Sequence, residues 1–230
     1  MFDDIVTLCR VPGTGRVLEI GCGTGQATVP LAERGLEVVC VELGADLAAF
    51  AARNLTGFPN VRIVNEPFES WEPDGEYDAV VSFTAFHWLD PEVRYAKPAQ
   101  ILRPDGALAV VETHHARNDD PFWLDVQEDY DAVVPSPDNR PPPRAEEIGD
   151  LSAEIEASGA FRNVAVRRHR WDVRYTADEY IAVLSTYSPN LDLDEERRER
   201  LFDRIHRRLA KQGSVVKTYV ATLNVATTLV

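Results

Sequence analysis

Three glycines, Gly21, Gly23 and Gly25, fall within five positions directly after the apolar run that ends at Ile20. A backbone so bare of side chains lets a ligand approach closely, and turns of this kind most often cradle phosphate. Glu19, two residues before the first glycine, argues for a different guest. Its carboxylate opposes a ligand carrying negative charge and suits one with a cationic ammonium or sulfonium group. The spacing agrees. A dinucleotide fingerprint requires G-x-G-x-x-G, whereas here the third glycine comes one residue early, and no Lys-Ser/Thr pair follows as in a P-loop. Glu42 closes the run EVVCVE and can accept both hydroxyls of a ribose, which NAD and adenosine ligands alike require. Glu66, in VNEPFE, stands where an adenine amino group could donate to it. His87, in AFHWLD, offers a general base, a hydrogen-bond donor to a substrate, or an ordinary helix-end residue.

The elements that must position these residues alternate in type. Residues 16–20, 37–42, 61–65, 77–83 and 106–112 are short runs rich in Val, Ile and Leu, as suits strands buried on both faces of a parallel sheet. Helical patterns at 26–34, 46–54 and 91–102 separate them, with Asp46 as a candidate N-cap and Gly35 as a candidate stop. Repeated β-α-β units predict a doubly wound α/β sheet, whose ligands bind at the carboxyl ends of the strands. Glu42 and Glu66 both fall at such ends.

The second half reads differently. Residues 115–147 are rich in Asp and Pro and predict a connection that leaves the sheet and returns. A helix follows over 144–158, then a sixth strand over 163–171, and Thr176 with Glu179 forms a capping box. Asp194–Gln212 is a charged amphipathic helix presenting Leu201, Ile205 and Leu209, and a last strand closes the chain. The domain organisation expected is a first core half over 1–115, an excursion over 116–143, and a remainder over 144–230 with a helical cap at 175–212.

Charge and composition exclude several roles. With 38 acids against 24 bases the net charge is −14, a poor balance for binding nucleic acid. The arginines of VRRHRWDVR are expected to alternate along a strand and meet part of the surplus acid. No apolar run is long enough to span a membrane, and the acids in MFDDIVTLCR do not suit a signal peptide. Three scattered cysteines read as buried apolar residues of a reducing cytoplasm, and no acid-plus-His spacing indicates a metal.

Taken in order, VLEIGCGTG, VCVE, VNEPFE, YDAVVSFTAFHWL and ILRPDGALAVVE resemble the motifs of the class I S-adenosylmethionine (SAM)-dependent methyltransferases. The resemblance implies a Rossmann-like, doubly wound, seven-stranded sheet with the last strand antiparallel and helical lid insertions. It implies SAM as cofactor and S-adenosylhomocysteine as product. Gly21, Cys22, Gly23 and Gly25 then lie in the loop under the methionine portion, and Glu19 orients that loop and favours the amino group, directly or through water. Glu42 holds the ribose, Leu43 lies against the adenine, Glu66 and the Phe68 backbone meet its edge, and the Phe83 backbone lies near the amino group.

A His-Trp pair at 87–88 resembles methyltransferases of small organic acids of the trans-aconitate type, which need no base. Trp88 itself reads as packing. The fourth strand lacks the Asn/Asp-Pro-Pro-Tyr signature of nucleic-acid amine methylation. The expected activity is methyl transfer to a small molecule, at carboxylate or hydroxyl oxygen; transfer to nitrogen or carbon, or SAM binding without turnover, are the alternatives. His114 and His115 are expected to point to opposite faces if the fifth strand continues through them. Trp123, Tyr130, Tyr175 and Tyr187 read as core or as residues covering a substrate. Family members usually carry a further N-terminal segment, so the lid is expected to be truncated, supplied by the C-terminal helices, or cut short by a misplaced start of the sequence.

Overall fold

The computed structural model describes residues 1–135 and 141–229. The stretch 136–140 of the expected excursion lies outside the described residues. In chain order the elements are α1 (Phe2–Leu8), β1 (Arg16–Ile20), α2 (Thr28–Ala32), β2 (Glu37–Val41), α3 (Ala45–Asn54), β3 (Val61–Val64), β4 (Tyr77–Phe83), α4 (Ala96–Ile101), β5 (Leu102–Ala116), α5 (Phe122–Val133), α6 (Ser152–Ala157), β6 (Phe161–Tyr175), α7 (Ala177–Leu184), α8 (Ser188–Leu191), α9 (Glu195–Gln212) and β7 (Val215–Thr228). The strands form one seven-stranded sheet in the order β3-β2-β1-β4-β5-β7-β6, with β7 antiparallel. This is the doubly wound, Rossmann-like α/β fold. No helix among the described residues is long and apolar enough to cross a membrane.

The chain divides into two compact units. The first holds Met1–Thr113, Gly149–His169 and the chain from Ala221. Its strands pair in parallel, with Val17 opposite Val38 and Ala79, and Leu18 opposite Val39 and Val80. Successive side chains alternate between faces. Val17, Val38, Cys40 and Ala79 therefore join Ile5, Leu31 and Ala51 in one apolar layer, while Leu18, Val39, Val80 and Leu108 join Trp71, Tyr95 and Ile155 in the other. At the strand starts, Arg16 pairs with Glu37 (3.0 Å) and Asp74 (2.6 Å), Arg62 pairs with Asp74, and Arg103 pairs with Asp78 (2.6 Å). The sheet order reverses at β1, which pairs with β2 on one side and β4 on the other.

The second unit holds His114–Ile148 and Arg170–Val220. Its core gathers Phe122, Val126, Tyr180, Leu184, Leu201, Ile205 and Leu209. The carboxylate of Asp129, 1% exposed, accepts from Arg204 Nε at 2.8 Å and from Arg208. A buried carboxylate needs such partners.

Several expectations require correction. The helix read over 91–102 begins only at Ala96, because Pro98 lacks an N–H and fits only the first turn. The helix read over 144–158 is a 3-10 turn at Ala145–Glu147 and then α6, since Asp150 Oδ1 accepts from Ser152 N (3.1 Å) and starts a new turn. Asp46 does not cap α3. The N-cap is Gly44, and Asp46 lies in the first turn. The Asp- and Pro-rich excursion contains the twelve-residue α5, whose buried Phe122, Val126 and Val133 carry a helical period hidden among acids. β5 runs on through Thr113, His114 and His115, because ladder hydrogen bonds come from the backbone and tolerate polar side chains. The Thr176–Glu179 capping box is present, and β6 carries the arginine cluster, with Arg168 paired to Asp150 at 3.1 Å.

Candidate functional site

The carboxyl ends of β1, β2 and β4 meet in a crevice of about 530 Å³, bordered by Gly21, Gly23, Glu42, Leu43, Phe68 and Phe83 among others. This is the switch point of the strand order, where open α/β sheets bind their ligands.

The glycine turn is required by its backbone. Gly21 has φ of 70° and Gly25 of 88°, in the left-handed region. A Cβ on Gly21 would lie 2.5 Å from the Ala85 Cβ, and one on Gly25 would lie 2.8 Å from Leu55 Cδ1. The Gly21 N–H donates to Val41 O (2.8 Å), which carries the β1–β2 ladder into the turn. Gly21→Ala is therefore expected to cost about 2 kcal/mol of stability, from the left-handed backbone and the collision with Ala85. Denaturant unfolding measures it, and a cost below about 0.5 kcal/mol would contradict this packing.

Glu42, 6% exposed, holds the loops around it. Its Oε2 accepts from Gly23 N and its Oε1 from Gly44 N, both at 2.8 Å. Each carboxylate oxygen has a second lone pair, so both oxygens can still accept from a diol. Asn65 Nδ2 donates to the Glu42 carbonyl (2.8 Å) and fixes the end of β2. Just past the end of β4, Thr84 has φ of 54° and borders the crevice. A β-branched residue in that region is strained, and such strain collects at ligand sites.

Glu19 is placed elsewhere. It is 1% exposed, shares the face of Val17 and Cys40, and does not border the crevice. Its Oε2 accepts from Thr28 Oγ1 at 2.7 Å, which ties β1 to the start of α2 and so orients the glycine turn from behind. Burial pushes its pKa up to about 7, against the opposing effect of the Thr28 bond. Direct contact with a ligand's amino group is not available to it. Cys22 is buried, and neither it nor Gly25 borders the crevice. Glu66 is exposed and also outside; Glu69, in the same VNEPFE stretch, takes the bordering place. His87 is exposed on a 3-10 turn with its ring 4.8 Å from that of Trp88, and it does not border the crevice.

Trp88, read as packing, is 80% exposed and does border it, as do Leu47 and Leu89. With Leu43, 71% exposed, these side chains form open apolar walls suited to the face of an aromatic base. Phe68 is held by Lys97, whose ammonium donates to the carbonyls of Phe68 (2.8 Å), Glu69 (3.1 Å) and Trp71. Trp88 was legible as a crevice residue only from its place after β4. Lys97 carried no signal, because its partners are backbone atoms far along the chain.

Residues 17–106 match a family model described as a methyltransferase domain. An uncharacterized methyltransferase of Mycobacterium tuberculosis (strain ATCC 25618 / H37Rv) is 36% identical over 96 residues, 42% of this chain and 39% of the relative. The trans-aconitate 2-methyltransferase of Deinococcus radiodurans is 34% identical over 96 residues, 41% of this chain and 36% of the relative. The matches thus span about two-fifths of those relatives' length. Among solved structures, a Haemonchus contortus phosphoethanolamine N-methyltransferase 2 in complex with phosphomonomethylethanolamine and S-adenosylhomocysteine aligns with TM-score 0.55 and 15% identity, over 99% of this chain and 52% of that one. At that identity the likeness is one of fold. Over residues 17–106 the chain is thus similar to methyltransferase domains, on a fold shared with solved methyltransferase structures.

Proposed function

We propose that the chain binds SAM in the crevice at the ends of β1, β2 and β4 and transfers its methyl group to oxygen of a small molecule, a carboxylate or hydroxyl. The observation that carries this reading is the joining of Glu42, through the Gly23 N–H, to a glycine turn that no side chain obstructs. Glu42 takes the ribose hydroxyls, the apolar walls at Leu43, Leu47 and Phe68 take the adenine, and the turn at Gly21 and Gly23 lies against the amino-acid portion. The bound cofactor supplies an electrophilic methyl group. The residues here hold its parts in place and keep water from the reacting centre, which lowers the barrier by positioning. A carboxylate acceptor needs no base, and among the described residues none that borders the crevice is a histidine. The chain's net charge of −14 favours a small-molecule acceptor over nucleic acid, and three buried free cysteines suit a cytoplasmic setting.

Calorimetric titration with SAM, S-adenosylhomocysteine and NAD tests the cofactor. Saturable binding of the first two is expected, and NAD binding without SAM binding would overturn the assignment. A panel of small acids, phenols and amines, read by S-adenosylhomocysteine release, then tests the acceptor. His87→Ala is expected to leave SAM affinity within about twofold and turnover within about tenfold. A loss of turnover near 100-fold, the scale of general-base catalysis, would instead make His87 the base for a hydroxyl acceptor.

A further inference from the structure

The second unit, none of which lies within residues 17–106, has its own cavity of about 210 Å³. Lys217, on β7 and 6% exposed, lines it. The ammonium lies over four rings, with centroids at 5.0 Å (Tyr187), 5.2 Å (Tyr180), 5.7 Å (Tyr219) and 5.8 Å (Trp123). Among the described residues it makes one hydrogen bond, donating to Tyr187 Oη at 3.3 Å, and no carboxylate pairs with it. An ammonium has three donors, so two remain without acceptors. A charge taken out of water without a counter-ion costs several kcal/mol, which cation–π contacts of about 0.5–2 kcal/mol each only partly offset.

The rest of the lining repeats this imbalance. In a chain of net charge −14, the described residues bordering the cavity include no Asp or Glu, while Arg117 adds a second cation. Trp123 has a buried Nε1–H with no partner. The Tyr187 hydroxyl lies 3.1 Å from His115 Nε2, and burial together with Lys217 lowers the His115 pKa to about 4, so that ring is neutral. Burial also lowers the Lys217 pKa to about 8, which leaves it mostly charged at neutral pH. Buried donors without acceptors, walled by Trp123, Tyr130, Tyr180 and Leu184, define the missing partner: a flat apolar body bearing one anionic group. An organic cation is the wrong guest, because the rings already hold the protein's own cation. An apolar cavity of about 150 Å³ holds benzene, so this one has room for a ring and a carboxylate.

We propose that this cavity binds a small aromatic carboxylic acid, its carboxylate paired with the Lys217 ammonium and its ring among the aromatic side chains. The inference is independent of the cofactor assignment, since every residue it uses belongs to the second unit and no cosubstrate enters its test.

The test is calorimetric titration of the full chain at neutral pH with trans-cinnamate, cinnamamide and cinnamylamine. Saturable cinnamate binding is expected, with the amide at least about tenfold weaker and the amine without measurable affinity. Lys217→Met is expected to weaken cinnamate about tenfold or more while raising the unfolding temperature, because it removes an uncompensated buried charge. Should that variant not fold, Trp123→Phe removes the orphan N–H while keeping an aromatic ring and is expected to weaken cinnamate threefold or more. Cinnamate binding no tighter than that of its amide, a preference for the amine, or cinnamate affinity unchanged in both variants would overturn the proposal.

Discussion

Glu42→Ala is expected to lower SAM affinity at least about 100-fold, the largest effect of any single change in the crevice. Two charge-assisted hydrogen bonds to a ribose, each on the order of 1.5–3 kcal/mol, disappear together. The protein loses as well, because the Gly23 and Gly44 N–H groups that donate to this carboxylate lose their acceptor. Glu42→Gln is the milder change. It keeps one acceptor oxygen but replaces the other with a donor that faces an N–H, so loop order falls along with affinity. Calorimetry with SAM and with adenosine reads the result. If both ligands bind Glu42→Ala within threefold of the parent, Glu42 does not hold a ribose.

Glu19→Gln is expected to stabilise the protein in alkaline solution and to do almost nothing in acid. The Glu19 carboxyl has its pKa raised from an ordinary 4.5 to about 7 by burial. The folded state therefore holds the proton more tightly than the unfolded state. That contribution to stability is fully present below the unfolded value and is lost as pH rises through about 7. Above it, folding buries a charge whose partners are a hydroxyl and a thiol. The amide has no such charge, and its oxygen still accepts from Thr28. The gain at about pH 9 is roughly 3 kcal/mol, or about 5–10 °C in melting temperature, and it vanishes near pH 4. Equal melting shifts at both pH values would contradict the burial that raises the Glu19 pKa.

These residues show what the sequence makes legible. The glycine turn and Glu42 could be read because their roles are local. A run of Val, Ile and Leu ends, the backbone turns, and an acid closes the next strand. The side of the sheet on which Glu19 lies was harder to see. Its parity with Val17, not its nearness to the glycines, decides that it points into a layer with Cys40 and away from the crevice. Glu66 and Glu69 belong to one short stretch, and only the turn through Pro67 and Phe68 determines which one borders the crevice. Trp88 looked like core because tryptophan usually is, yet its turn after β4 leaves it in the open. The cage around Lys217 was legible only in part, through Trp123 and Tyr187 as candidate covering aromatics. The lysine interrupts an apolar strand, VVKTYVATLNVATT, which also supplies Tyr219, while the other three rings come from α5, α7 and the residue before α8 and are brought there only by the fold.

The ionic lattice among Arg16, Glu37, Arg62 and Asp74 lies at the beginnings of the strands, whereas Glu42 and the glycine turn lie at their ends. Ion pairing and the proposed ligand crevice thereby fall on opposite rims of one sheet. Half-exposed charges of this kind are screened by electrolyte. A brine therefore loosens the first rim, while the apolar walls of the second keep their grip. Exchange of those arginines and acids is therefore expected to change salt sensitivity while leaving the crevice unaltered.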